Sequence, residues 1–134
     1  MSVAYIEHVN LTVTNPARTA EMLISLFGWY IRWKGPARAG GYSIHVGSDD
    51  HCLALYGAAQ SSDTSRHFSK GVPLNHIGIA VDDLADVEAR AIKSGLKPFN
   101  HDDYDPGRRF YFLDQDGIEY EVISYNMNDR SQRV

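Results

Sequence analysis

His8 and His76 sit in two short segments of one pattern, IEHVNLTV (6–13) and LNHIGIAV (74–81). In the first, Val9, Leu11 and Val13 alternate with His8, Asn10 and Thr12. In the second, Ile77, Ile79 and Val81 alternate with His76, Gly78 and Ala80. A period of two reads as a strand with one apolar face, so each histidine stands on the face turned away from a packed helix. A third segment, IEYEVISY (118–125), sets two carboxylates, Glu119 and Glu121, in an otherwise apolar strand. An ionised carboxylate facing apolar surroundings is costly unless it is paired or bound to a cation. Two imidazoles and one carboxylate make a facial set that holds a divalent metal and leaves positions open for substrate, oxygen or water.

The elements that must position these groups can be read around them. After the first histidine strand, Asn15-Pro16 fits a helix start. Ala20, Leu23, Ile24 and Phe27 recur at helical spacing, and Gly28 fits a C-terminal cap. Three strand-like segments follow, WYIRWK (29–34), GYSIHVG (41–47) and HCLALYG (51–57). After the second histidine strand, Asp82-Asp83 offers an N-cap. Leu84, Val87 and Ala91 share a helical face with Ile92 beside them, and Gly95 ends the helix. LKPF (96–99), RRFYFLD (108–114) and IEYEVISY give three further strands, the last entered through the turn residues Asp114-Gln115-Asp116-Gly117. His8 and His76 are 68 positions apart, and Gly28 and Gly95 are 67 apart. The chain therefore reads as two copies of a βαβββ unit. The fold class is α+β, with modules at 4–57 and 74–125 inside a single domain of residues 1–134. Residues 58–73 read as a linker or mobile loop, and 126–134 as a polar tail that frays.

Composition excludes several classes. With 134 residues, 43% hydrophobic and 22% charged, the chain suits one soluble domain. A net charge of −4 gives no support for nucleic-acid binding. No apolar run approaches the roughly 18 residues of a membrane span. The start, MSVAYIEHVN, does not read as a signal peptide. Cys52 is the single cysteine, which forbids an internal disulfide and agrees with a cytoplasmic location. It reads as a small buried hydrophobe rather than a nucleophile.

These residues carry a resemblance. IEHVNLTV with NPARTAEMLISLFGW, then LNHIGIAVDDL, then FYFLDQDGIEYEV, resemble the vicinal oxygen chelate superfamily. That group includes glyoxalase I, fosfomycin-resistance enzymes, methylmalonyl-CoA epimerase, extradiol dioxygenases and bleomycin-resistance proteins. With the intervening strands, the resemblance covers nearly all of residues 4–125. It implies paired βαβββ modules whose sheets cup around one divalent metal ion (Fe, Mn, Zn, Ni or Co). It implies His8, His76 and Glu121 as ligands, with Glu119 as the rival third ligand or a supporting residue. The implied function is a metal-dependent enzyme of the isomerase, lyase, transferase or extradiol dioxygenase type, acting on a small substrate held through two oxygens. The ion would act as a Lewis acid toward an enolate, an alkoxide or a catecholate. The alternative implied function is a metal-free protein that sequesters a ligand, as bleomycin-resistance proteins do. Short members of this kind commonly pair, so a two-fold homodimer is expected.

Departures from the family pattern narrow the reading. Glyoxalase I-like members take a fourth ligand from the last strand of the first module. Here that position falls on Ala54 or a neighbouring leucine. Tyr111, ten residues before Glu121, matches the active-site tyrosine of the three-ligand branches. The segment NHDDYDPGRR lacks the Lys and Ser expected of a fosfomycin-resistance phosphonate site. His101 lies one residue out of register with the extradiol acid-base histidine, and Gln115 replaces a common proline. Tyr111 and His101 are therefore the candidate acid-base groups, since such chemistry needs a proton carrier within reach. Arg108, Arg109 and Asn10 are candidate substrate contacts, the arginines by a forked hold on an anionic group. Trp29 and Trp33 are expected on one strand face, and His45 and His51 read as structural or surface residues.

Overall fold

The computed structural model describes residues 2–59, 69–104 and 107–125. Most of the expected linker and the whole tail at 126–134 lie outside the described residues. The chain divides into two compact units, Met1–His67 and Phe68–Val134. The first runs β1 (His8–Thr12), α1 (Pro16–Phe27), β2 (Tyr30–Pro36), β3 (Tyr42–Gly47) and β4 (Cys52–Gly57). The second runs β5 (Ile77–Ala80), α2 (Leu84–Lys93), β6 (Phe99–Tyr104), β7 (Gly107–Leu113) and β8 (Glu119–Tyr125). The class is α+β. Each unit builds its own four-stranded mixed sheet, in the orders β1-β4-β3-β2 and β5-β8-β7-β6. In both, the first strand pairs parallel with the last and the other pairings are antiparallel.

Local chemistry explains the helix limits. The Asn15 side chain accepts from the Arg18 N–H at 3.1 Å, and Pro16 takes the first turn, where no N–H is missed. Gly28 ends α1 at φ 70°, a left-handed turn that a glycine enters without strain. In α2, Asp83 caps through the Asp86 N–H at 3.0 Å, and the helix ends at Ser94 just before Gly95. Helix α1 buries Thr19, Ala20, Leu23 and Leu26, whereas α2 buries only Val87 and Ala91 and leaves Ile92 exposed. Under the helices the sheets contribute Ile44, Val46, Leu53 and Leu55 in one unit and Phe110, Phe112, Tyr120 and Val122 in the other. Among the described residues, no helix is long and apolar enough to cross a membrane.

Both second strands slip. A register shift falls between Ile31 and Trp33 in β2, and another between Phe99 and Asp102 in β6. Such a bulge breaks the alternation of faces. Ile31 lies opposite Val46, Trp33 opposite His45. Trp29 and Trp33 therefore do not share a face as simple alternation predicts. Trp29 packs instead on Phe27, with ring centroids 5.4 Å apart.

Candidate functional site

The face of the second sheet turned away from α2 collects the chemistry of that unit. Ladder partners place Gly78 opposite Glu121, Tyr111 opposite Glu121, Phe99 opposite Tyr111 and Arg109 opposite Ile123. His76 precedes β5 by one residue and shares the parity of Gly78. Its Nδ1 lies 4.0 Å from a Glu119 oxygen, and its ring meets that of Tyr111 edge-on at 5.7 Å. Both glutamates are mostly buried, with side chains 16% and 15% exposed. Lys70 pairs with Glu119 at 3.3 Å and sits 5.9 Å over the Phe99 ring. The Tyr111 hydroxyl donates to Glu121 Oε2, and the buried Arg109 reaches the same oxygen at 3.5 Å. Two buried carboxylates are thus each answered by a cation, as burial demands.

The turn before β8 fixes this arrangement. Asp114 Oδ1 accepts from the Asp116 and Ile118 N–H groups, both at 2.9 Å. Oδ2 accepts from the Tyr120 hydroxyl at 3.1 Å. Gly117 takes φ 83°, and its N–H closes the turn on the Asp114 carbonyl at 3.1 Å. Burial pushes the Asp114 carboxyl above its ordinary range, against those hydrogen bonds. Burial also pushes the Tyr120 phenol well up, with the neighbouring Asp114 charge adding to it. Tyr120 therefore stays a donor and anchors β8 from the core side. The odd-numbered Glu119 and Glu121 then point the other way.

The equivalent face of the first sheet carries a different set. His8 lies opposite Cys52, Asn10 opposite Ala54, and His45 opposite Ala54 and Trp33. The His8 and His45 rings stack at 6.4 Å, and Trp33 packs on His45 at 5.2 Å. Glu7 bonds His8 Nδ1 at 2.7 Å through one oxygen and Arg32 at 3.0 Å through the other. The His8 contact first, and Arg32 next, hold the Glu7 carboxyl below its ordinary range. Cys52 is buried, and burial raises its thiol, which agrees with an inert packing role.

Among the expected site residues, His76, Glu121, Tyr111 and Arg109 share one face of the second unit. His8 and Asn10 share the corresponding face of the first. His101 does not join them. The bulge in β6 puts it on the helix side, where it pairs with Glu88 of α2 and stacks on Phe110 at 6.1 Å. It therefore does not share a face with Tyr111, the other candidate acid-base group. Arg108, one residue from Arg109, has the opposite parity and is exposed, so the two arginines form no fork. The position equivalent to Glu121 in the first unit is Ala54 rather than a neighbouring leucine.

Sequence reading missed four residues on these faces: Glu7, Asn75, His45 and Lys70. Asn75 Oδ1 sits 2.7 Å from His76 Nδ1, as Glu7 does for His8. The signal was present, since each histidine follows a residue with a side-chain oxygen at the same repeat spacing. The donor chemistry fits a divalent ion. Imidazole and carboxylate are ordinary ligands for such metals. Within neither unit, among the described residues, do three His, Cys, Asp or Glu side chains converge on one point.

The architecture defines a class: a duplicated βαβββ protein with a histidine leading each first strand and paired glutamates on the last. Residues 5–122 match the Glyoxalase/Bleomycin resistance protein/Dioxygenase superfamily, and the chain belongs to that superfamily. No curated protein matches the sequence. Solved structures share the fold. A glyoxylase/bleomycin resistance protein/dioxygenase domain from Frankia sp. EAN1pec matches with TM-score 0.78 and 20% identity, over 93% of this chain and 100% of that one. The fosfomycin resistance protein FosX from Listeria monocytogenes, complexed with Mn(II) and sulfate, matches with TM-score 0.72 and 14% identity, over 97% and 99%. TnmS3, an antibiotic binding protein from Streptomyces sp. CB03234, matches with TM-score 0.68 and 16% identity, over 94% and 99%.

Proposed function

We propose that this protein is a divalent-metal-dependent enzyme acting on a small substrate that offers two oxygens to the ion. His8, His76 and Glu121 are the proposed ligands. The observation that carries the reading is the mostly buried Glu121 on the same sheet face as His76. A sequestering groove has no need of that combination. The Mn(II) complex of the FosX neighbour supports a divalent ion in this fold. When bound, the ion would act as a Lewis acid on the substrate oxygens. Tyr111 would hold a proton at its hydroxyl beside Glu121, ready for transfer to or from the substrate. Arg109 would hold the Glu121 carboxylate in its orientation. The reaction is of the isomerase, lyase, transferase or dioxygenase kind. Purified wild-type protein should bind one Mn(II), Fe(II), Zn(II), Ni(II) or Co(II) per chain by elemental analysis. His76→Ala should abolish that binding, and full occupancy in the variant would refute the ligand set.

A metal-free ligand-binding protein is the second reading. What favours it is that Glu121 already has Tyr111 and Arg109 as partners, and that TnmS3 shares the fold. Wild-type protein that takes up none of the five ions would establish it over the first. We also propose a two-fold homodimer. Exposed Tyr5, Ile6, Tyr30 and Trp33 of the first unit are residues of the kind that interfaces bury. Light scattering that shows a concentration-independent monomer would exclude it.

A further inference from the structure

We infer that Glu7 and Asn75 are positioning residues that set the tautomers of His8 and His76 and leave Nε2 of each ring as the nitrogen with a lone pair. The inference rests on the reading of these histidines as ligands. A neutral imidazole has one N–H and one lone pair, and the partner of one nitrogen decides which is which. Glu7 Oε1 lies 2.7 Å from His8 Nδ1. A carboxylate oxygen only accepts, so Nδ1 must carry the hydrogen. Asn75 Oδ1 lies at the same 2.7 Å from His76 Nδ1, and an amide oxygen likewise only accepts. In water the neutral side chain favours the proton on Nε2, so each contact reverses the intrinsic preference.

The same device occurs twice, in units whose sequences differ, and by two different chemical groups. Glutamate and asparagine differ by one methylene in reach, yet both place an oxygen on the same ring atom. The choice of group follows the charge on each face. The second unit already has Glu119 and Glu121 beside His76, and there the orienting residue is neutral. The first unit has Ala54 where the second has Glu121, and there the orienting residue is a carboxylate. Its second oxygen is bound by Arg32 at 3.0 Å, which limits its rotation. Outer partners of this kind fix ring orientation and raise the basicity of the coordinating nitrogen.

The test uses metal-free, nitrogen-15-labelled full-length protein above the ordinary histidine titration range. Ring nitrogen shifts should report Nδ1–H at both His8 and His76. Glu7→Ala should move His8 alone to the Nε2–H form, and Asn75→Ala should move His76 alone. Each should weaken Mn(II) binding by about 10- to 100-fold. Glu7→Gln and Asn75→Asp keep an accepting oxygen and should restore both readouts, which a purely structural role would not produce. Nε2–H rings in the wild type, or alanine variants with unmoved tautomers and unchanged Mn(II) affinity, would overturn the inference while leaving the metal reading intact. Tautomers that move as stated in a protein that binds no Mn(II) would sustain the inference and sink the metal reading.

Discussion

The two units place a histidine at the same point of the same scaffold and then surround it differently. In the first, Asn10 faces Ala54 across the parallel ladder. In the second, Gly78 faces Glu121. Bulk and polarity have changed strands. A Cβ at Gly78 would come to 3.8 Å from Glu121 Oε1, so the glycine leaves the carboxylate open on that side. One strand further in, His45 stands where the second unit has Tyr111, and Trp33 where it has Phe99. Duplication has preserved the frame and one imidazole, while the last-strand glutamates and the tyrosine hydroxyl bonded to one of them occur only in the second copy. A duplicated scaffold can thus present two different sets of donors, one face with two carboxylates and one with a tryptophan and two stacked imidazoles. The helices differ in the same direction. Helix α1 is anchored by two fully buried leucines, α2 by a valine and an alanine.

That helix contrast gives the largest expected effect. Leu23 is fully buried, and Leu23→Ala removes three carbons and leaves a cavity, at a cost of about 3–4 kcal/mol. Val87 is buried but smaller, and Val87→Ala should cost about 1–2 kcal/mol. Urea denaturation of the two variants would measure the gap. Equal midpoints would show that the helices anchor their sheets equally well and remove this part of the contrast.

The second test copies the acidic side of the molecule into the other. Ala54 is 1% exposed. Ala54→Glu places a carboxylate where, among the described residues of the first unit, no cation is arranged as Arg109 is for Glu121. The unpartnered charge should lower stability by about 2 kcal/mol at neutral pH. The loss should shrink in acid, where the new group is protonated. A variant as stable as the wild type at neutral pH would mean that the first face tolerates a carboxylate, and that Ala54 is not what keeps it free of one.

Much of this frame was legible in the sequence because its causes are local. Asn15-Pro16 and Asp83 start the helices where they stand, and Gly28 ends α1, since capping depends on residues only a few positions away. The Asp114–Gly117 turn was readable for the same reason. The repeat at 68 residues placed His8 and His76 at equivalent points without any tertiary knowledge. What resisted reading depends on pairing between strands. A period of two cannot foresee the slips after Ile31 and Phe99; the first takes Trp33 off the face that Ile31 holds, and the second sends His101 to the helix side. His45 joins His8 only through the β3–β4 and β1–β4 registers. Arg108 and Arg109 are adjacent in sequence, and only the buried Glu121 beside one of them distinguishes their roles.

The smallest expected effect is in the pH dependence, and it has opposite signs in the two units. Asp114 is buried and its carboxyl is pushed above the ordinary range. The folded state therefore holds that proton more tightly than the unfolded chain does. Its contribution to stability is fully present below the unfolded value and is lost as pH rises through the raised folded one. Glu7 is the reverse case, since His8 and Arg32 hold its carboxyl down. Its contribution is present above the unfolded value and is lost as pH falls through the lowered folded one. The stability advantage of wild type over Asp114→Asn should thus grow as pH falls from neutrality into the ordinary carboxylate range. The advantage over Glu7→Gln should shrink as the solution becomes more acid still. Denaturant midpoints across that range for all three proteins give both differences. If the Asp114→Asn curve runs parallel to that of the wild type, Asp114 titrates normally and the buried turn exerts no strain on its charge. If the Glu7→Gln curve also runs parallel, the Glu7–His8 contact is too weak in solution to favour the charged carboxylate, and the contrast between the two units would rest on packing and donor placement alone.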